Sequence, residues 1–214
     1  MRLEGIYSLV ESKGILKEIN FDFNEGKLYY VVVENEKTGV NLFDIIGLVS
    51  PIMRGKYIIN GVDVSGFSYR AKTEIRREYI GFLFKEILLD NDFNVFDNVL
   101  IPLINNKKLE KKKKEEKVIN YLKKYNLDDL MEKYPKNLSA YERQMVSLVR
   151  ALINDPHFIL AYEPTDLLSE NEEKEFYEVL KKITKLNIGV IIITRKVLYK
   201  EYADEIYWYE NKLM

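Results

Sequence analysis

Two uninterrupted apolar runs, HFILAY (157–162) and NIGVIIIT (187–194), constrain this chain most. A strand that is apolar at every position has no face suited to water. It needs cover on both sides, the situation of parallel strands joined by crossover helices. The stretch between them, SENEEKEFYEVLKKITK (169–185), has the spacing of an amphipathic helix. Ser169 opens it, and Glu172 three residues on completes a capping box. A third β-branched run, KLYYVVV (27–33), lies far upstream. The pattern predicts an α/β fold with a mainly parallel core sheet.

The rest of the chain attaches to that core. RLEGIYSLV and LKEINFDF read as strands, with ESKG and NEG as turns. GKYIINGVDV reads as a strand pair around an Asn-Gly turn. A helix is expected from about 40 to 48, a charged helix over 69–78, and a buried strand at YIGFLF. A helical block follows from Asn94 to about Lys133, then the helix LSAYERQMVSLVRALIND. The run KKLEKKKKEEK carries no interleaved aromatic residue that could stack on bases, so it reads as a solvated helix face rather than a nucleic-acid patch.

Composition excludes several classes. With 33 basic and 34 acidic residues the net charge is −1, so no global field draws nucleic acid or an acidic membrane. The absence of cysteine removes disulfides and thiolate metal sites. The first residues lack the basic-then-apolar pattern of a signal peptide. Apolar runs such as VIII (190–193) are far too short to span a bilayer. At 214 residues, the expectation is one domain, cytoplasmic in location.

Between KLYYVVV and the expected helix lies ENEKTGVN, so strand, loop, a Lys-Thr pair and helix occur in the order of a phosphate-binding P-loop. Six strings extend this likeness: LKEINFDFNEGKLYYVVV, IIGLVSPIMRGKYIINGVDV, IRREYIGFLFKEILLDNDFNVFDNVLIPL, YPKNLSAYERQMVSLVRALINDP, FILAYEPTDLLS and VIIITRKVLYKEYADEIYWYENKLM. Together they resemble an ATP-binding-cassette (ABC) ATPase subunit, of the group that drives lipoprotein release, macrolide export and a cell-division complex. IRREYIGFLFKE and NVFDNVLIPL are the strings most particular to that group. The resemblance implies a P-loop NTPase-like fold over 1–214, with an antiparallel β subdomain and a helical subdomain at about 86–155.

The resemblance also implies a site, and here the residues depart from it. In the family the P-loop lysine lies eight residues before the Gly of IIG. That Gly is Gly47, so the lysine position is Gly39. Val40 and Asn41 replace the two hydroxyl residues, Val33 the first glycine and Thr38 the last. The competing register uses Lys37 and Thr38 and inserts two residues before IIG, a rotation of about 200° for the helix. In that register Glu34 and Glu36 face the phosphates, and each would repel ATP. Lys85 replaces the glutamine that touches Mg²⁺ and the attacking water. Tyr162 replaces the Mg²⁺-holding aspartate, and Glu163 remains at the catalytic base position as a vestige. LSAYE replaces LSGGQ, keeping Ser139 but putting Ala140 and Tyr141 in place of glycines. Ser139 and Glu142 also have capping-box spacing. Ser169 stands where an aspartate is usual, and Arg195 where a histidine senses the γ-phosphate. The adenine-stacking position falls on Val10, with Tyr7 nearby. His157, the only histidine, precedes a buried strand and is assigned no catalytic role.

Nearly every class of nucleotide contact is altered, while the scaffold strings persist. The expectation is a non-catalytic ABC-type subunit with no cofactor and no metal. Its partners would be an integral membrane permease and a second ABC ATPase chain, identical or different, with no nucleic acid. It would sit at the inner face of the cell membrane, held there through the permease. A divergent active ATPase using ATP and Mg²⁺ through Lys37, Thr38 and Glu163 is the alternative, and a soluble regulator without a permease the second. We expect Glu163 to pair with Lys85 and Arg195 and so close the pocket.

Overall fold

The computed structural model describes residues 1–10, 14–107 and 109–210, and for 9, 10, 14 and 15 the backbone only. In chain order the elements are β1 (Arg2–Val10), β2 (Gly14–Asp22), β3 (Leu28–Val33), α1 (Glu36–Ile46), β4 (Arg54–Ile59), β5 (Val62–Asp63), α2 (Tyr69–Tyr79), β6 (Ile80–Leu83), α3 (Val95–Leu100), α4 (Lys111–Lys124), α5 (Ala140–Leu152), β7 (Phe158–Tyr162), α6 (Glu170–Thr184), β8 (Gly189–Thr194) and β9 (Glu205–Tyr209). The expected helical block from Asn94 is broken into α3, a 3₁₀ turn (Ile101–Leu103) and α4. Pro102 lies in that turn and interrupts helical hydrogen bonding. In α4 only Val118 and Leu122 are buried, as a solvated charge run requires. The turn expected at ESKG falls on residues outside those described.

Two sheets form. The order β2-β1-β4-β5 is antiparallel, with β4 and β5 joined by the Asn-Gly turn. Asn60 (φ 48°) and Gly61 (φ 77°) both take the left-handed backbone that a tight hairpin needs. The order β6-β7-β8-β3-β9 is parallel at every pairing. β3, although adjacent in sequence to the N-terminal strands, joins this sheet.

Side-chain alternation sorts the parallel strands between two cores. Leu28, Tyr30, Val32, Ile159, Ala161, Val190 and Ile192 face a core shared with α3, α5 and α6. Tyr29, Val31, Val33, Leu160, Tyr162, Ile191 and Ile193 face the other, shared with α1 and the antiparallel sheet. This explains why the runs are apolar at every position. It also places Tyr162, the last residue of β7, on the α1 side.

Candidate functional site

The site lies where β3, β6, β7 and β8 end. Asn35 decides the form of the first of these ends. Its side chain accepts the Thr38 N–H (3.0 Å) and its carbonyl the Gly39 N–H (3.1 Å). An Asn with extended backbone and this bond is a strong N-cap. α1 therefore starts at Glu36, about four residues earlier than expected, and only Glu34 and Asn35 separate it from β3. Gly47 caps its other end. The buried face is Thr38, Gly39, Leu42, Phe43, Ile45 and Ile46. Gly39 thus points inward and Lys37 lies exposed. Val33 is buried, Asn41 half-buried and Val40 exposed.

Gly39 faces Tyr162. A Cβ at position 39 would lie 2.5 Å from Tyr162 Cε2 and 3.3 Å from its Cζ and Oη. The ring is held in place by Phe43 (6.3 Å between centroids) and by its hydroxyl, which donates to the Glu36 carbonyl (3.3 Å). Burial pushes the Tyr162 phenol up to about 12, with the charges of Glu36 and Glu163 adding to the effect. At neutral pH it is an uncharged phenol, a weak ligand for Mg²⁺.

Glu163 is buried at the end of β7, with φ 41°. Its Oε2 accepts from the Thr194 hydroxyl (2.8 Å), and its Oε1 from the Arg195 backbone N–H and Nε (both 2.9 Å). That pairing raises the Arg195 pKa above its ordinary value. The expected contact with Lys85 does not form. Lys85 instead bonds Asp166 Oδ2 (2.9 Å), with Glu36 Oε1 at 3.9 Å. The Asp166 hydrogen bond raises the Lys85 pKa. Arg195 also approaches Asp166 (3.6 Å). Asp166, Asn35 and Thr194 are site residues absent from the sequence expectation. For Asp166 the signal was an acidic residue three positions after Glu163 in the same strand-end loop.

Ser139 is engaged elsewhere. It caps α5 by accepting the Glu142 N–H (3.1 Å), while Glu142 Oε2 accepts the Ser139 N–H (2.6 Å). Tyr141 turns toward α6, where burial, and then Glu175, raise its pKa. At the end of α6 near the site, Glu172 Oε2 accepts from the Ser169 N–H (2.9 Å) and hydroxyl (2.6 Å). Tyr7 lies under the Arg54 guanidinium (5.6 Å). The side chain of Val10 is outside the described residues. His157 bonds Glu25 (2.7 Å) and stacks on Tyr79, remote from these strand ends.

The arrangement offers no open phosphate cradle at the start of α1. A phosphate cradle needs backbone N–H groups converging on open space. Here Asn35 takes the N–H groups of Thr38 and Gly39, and the Tyr162 ring covers Gly39. The family's metal-contacting positions carry Val40, Lys85 and Tyr162, none a carboxylate. Among the described residues no group of three His, Cys, Asp or Glu side chains is placed to hold a metal ion.

A groove of about 720 Å³ opens on the other side of β6. Phe82, Phe84, Ile101, Pro102, Arg76 and Arg150 are among its walls. Among the described residues no helix is long and apolar enough to cross a membrane.

Comparison with known proteins agrees with the fold and the six strings. The ABC transporter family model matches residues 16–166. The lipoprotein-releasing system ATP-binding protein LolD of Buchnera aphidicola is 33% identical over 207 residues, covering 92% of this chain and 90% of that protein. The macrolide export ATP-binding/permease protein MacB of Vibrio parahaemolyticus is 31% identical over 196 residues, covering 92% of this chain. The chain spans only 30% of the length of that exporter. The dimeric bacterial ABC transporter cassette MJ0796 has the same fold, with a TM-score of 0.84 at 24% identity over 98% of this chain and 94% of that one. The chain belongs to the ABC transporter ATPase family.

Proposed function

We propose that this ABC-family chain is a non-catalytic subunit, docked on a membrane permease as a structural or regulatory partner. The observation that carries the reading is the Tyr162 ring lying against Gly39, the position of the P-loop lysine. The cations at the pocket edge, Lys85 and Arg195, are engaged by Asp166, Glu36 and Glu163 rather than left for phosphate. Each charge-assisted bond to a phosphate is worth roughly 1.5–3 kcal/mol. Losing four or five removes most of the roughly 8 kcal/mol that micromolar affinity requires.

Docking is supported by the groove beside β6. In the family the cleft at this strand end receives short cytoplasmic helices of a permease. Phe82, Phe84, Ile101 and Pro102 supply an apolar wall of the kind such a helix covers. The protein would then sit at the inner face of the membrane, paired with a like or unlike ABC chain. Calorimetric titration with ATP, with and without Mg²⁺, tests the first part. Micromolar affinity for Mg-ATP would favour a divergent active ATPase instead. Purification from membranes tests the second, and a chain recovered without any permease would favour a soluble regulator.

A further inference from the structure

Five charged side chains alternate in sign across the strand ends: Glu36, Lys85, Asp166, Arg195, Glu163. Lys85 lies between Asp166 (2.9 Å) and Glu36 (3.9 Å). Arg195 lies between Glu163 (2.9 Å) and Asp166 (3.6 Å). The five members come from four strand ends. Glu36 begins the helix after β3, Lys85 follows β6, Glu163 and Asp166 follow β7, and Arg195 follows β8. These four strands are neighbours in the order β6-β7-β8-β3, and with Lys85 reaching Glu36 (3.9 Å) the charges form one strip over the strand ends.

Lys85 stands near the head of a long irregular segment, which runs from Phe84 to Asn94. The far end of that segment is pinned separately. The buried Asn98 side chain donates to the carbonyls of Asp90 (2.9 Å) and Phe93 (3.0 Å), and accepts the Asp90 N–H (2.8 Å). At the near end Phe84 packs on Phe43 of α1 (5.1 Å) and stacks on Phe82 (6.1 Å). Phe82 and Phe84 are walls of the groove.

We propose that the strip is an internal clamp on the start of the 84–94 segment. Lys85 and Asp166 act as positioning residues: they hold the first part of the 84–94 segment against the sheet, and so fix the groove wall for its partner whether or not nucleotide is present. The clamp rests on the docking reading for its purpose, but not for its test. Because the chain has no cysteine, single labelling sites are clean. Leu88→Cys places a nitroxide on an exposed side chain between the segment's two ends, at a residue whose backbone carbonyl also accepts from Arg150 Nη1 (2.6 Å). Asp92→Cys places one within the Asn98 pin, between Asp90 and Phe93, as a control.

With Lys85→Gln or Asp166→Asn, the mobile component at position 88 should rise about two- to fivefold, the scale of losing one exposed ion pair. The double variant should rise no further, and position 92 should not change. Salt at about 1 M should mobilise position 88 in the parent chain but not in Lys85→Gln, because screening and substitution remove the same contact. Mg-ATP should leave all spectra unchanged. An unaltered position 88 in both single variants would overturn the clamp, as would additive effects in the double variant. Immobilisation of position 88 by Mg-ATP would overturn it too. A chain that fails to co-purify with a permease yet shows the Lys85-dependent mobility would overturn the docking reading and leave the clamp standing.

Discussion

Gly39→Ala tests the closed pocket most directly. In an ordinary helix interior this change stabilises by roughly 0.5–1 kcal/mol, because alanine has less backbone freedom to lose. Here the added methyl would sit 2.5 Å from Tyr162 Cε2. The ring has little room to yield: it lies against Phe43 and its hydroxyl holds the Glu36 carbonyl. Overpacking a filled site costs roughly 1–3 kcal/mol. The substitution should therefore be neutral to destabilising by about 2 kcal/mol in the parent chain. With Tyr162→Ala the obstacle is gone, and Gly39→Ala should then stabilise by roughly 0.5–1 kcal/mol. Tyr162→Ala alone should cost roughly 3–5 kcal/mol, as truncation of a buried aromatic does. Urea unfolding of the four proteins, with equal slopes, yields a coupling of about 1–3 kcal/mol. Gly39→Ala stabilising the parent as much as the Tyr162→Ala background would refute the contact and the reading built on it.

Other outcomes follow from the same geometry. Asn35→Ala should cost about 1 kcal/mol through loss of the α1 cap, seen by urea unfolding, without conferring ATP binding. Glu163→Ala leaves the Arg195 backbone N–H and Nε without their acceptor, while the Thr194 hydroxyl keeps the Lys196 carbonyl (2.9 Å), and should cost roughly 1–3 kcal/mol by the same measurement. Burial raises the pKa of Tyr162, Tyr207 and Tyr209 to about 12, from the usual 10.0. For a raised pKa the folded form holds the proton longer than the unfolded form. Their contribution to stability is thus fully present below pH 10.0 and is lost as pH rises toward 12. Phenolate absorbance followed with circular dichroism should show these groups ionising together with unfolding. Simple titration of the intact fold at pH 10 would contradict their burial.

Much of the scaffold was legible in the residues. HFILAY and NIGVIIIT became β7 and β8 because strands apolar at every position fit only between two covered faces. Ser139 with Glu142 and Ser169 with Glu172 marked helix starts because capping acts over three residues, a distance visible in the sequence. The position of Gly39 followed from its spacing to Gly47, since one helix joins them. The start of α1 was missed because Asn35 is one polar residue among Glu34, Glu36 and Lys37, and nothing in that string singles it out as the cap. The contact between Tyr162 and α1 spans 126 residues to Glu36. Alternation along FILAY tells which residues share a face with Tyr162, but not which helix covers that face. The expectation for Lys85 chose Glu163 as its partner. The structure gives Glu163 to Arg195 and Thr194, and the more exposed Asp166 to Lys85.

Under the non-catalytic reading proposed above, the packing of Tyr162 on Gly39 also bears on whether nucleotide chemistry can return by descent. Regaining a lysine at position 39 first would drive a long side chain into the ring. Replacing the ring first would leave a void and still provide no lysine. Either opening step lowers stability before any phosphate contact is gained, and the cap at Asn35 would have to be undone as well. The two residues together act as a ratchet: a route open in one direction, with no single-step way back.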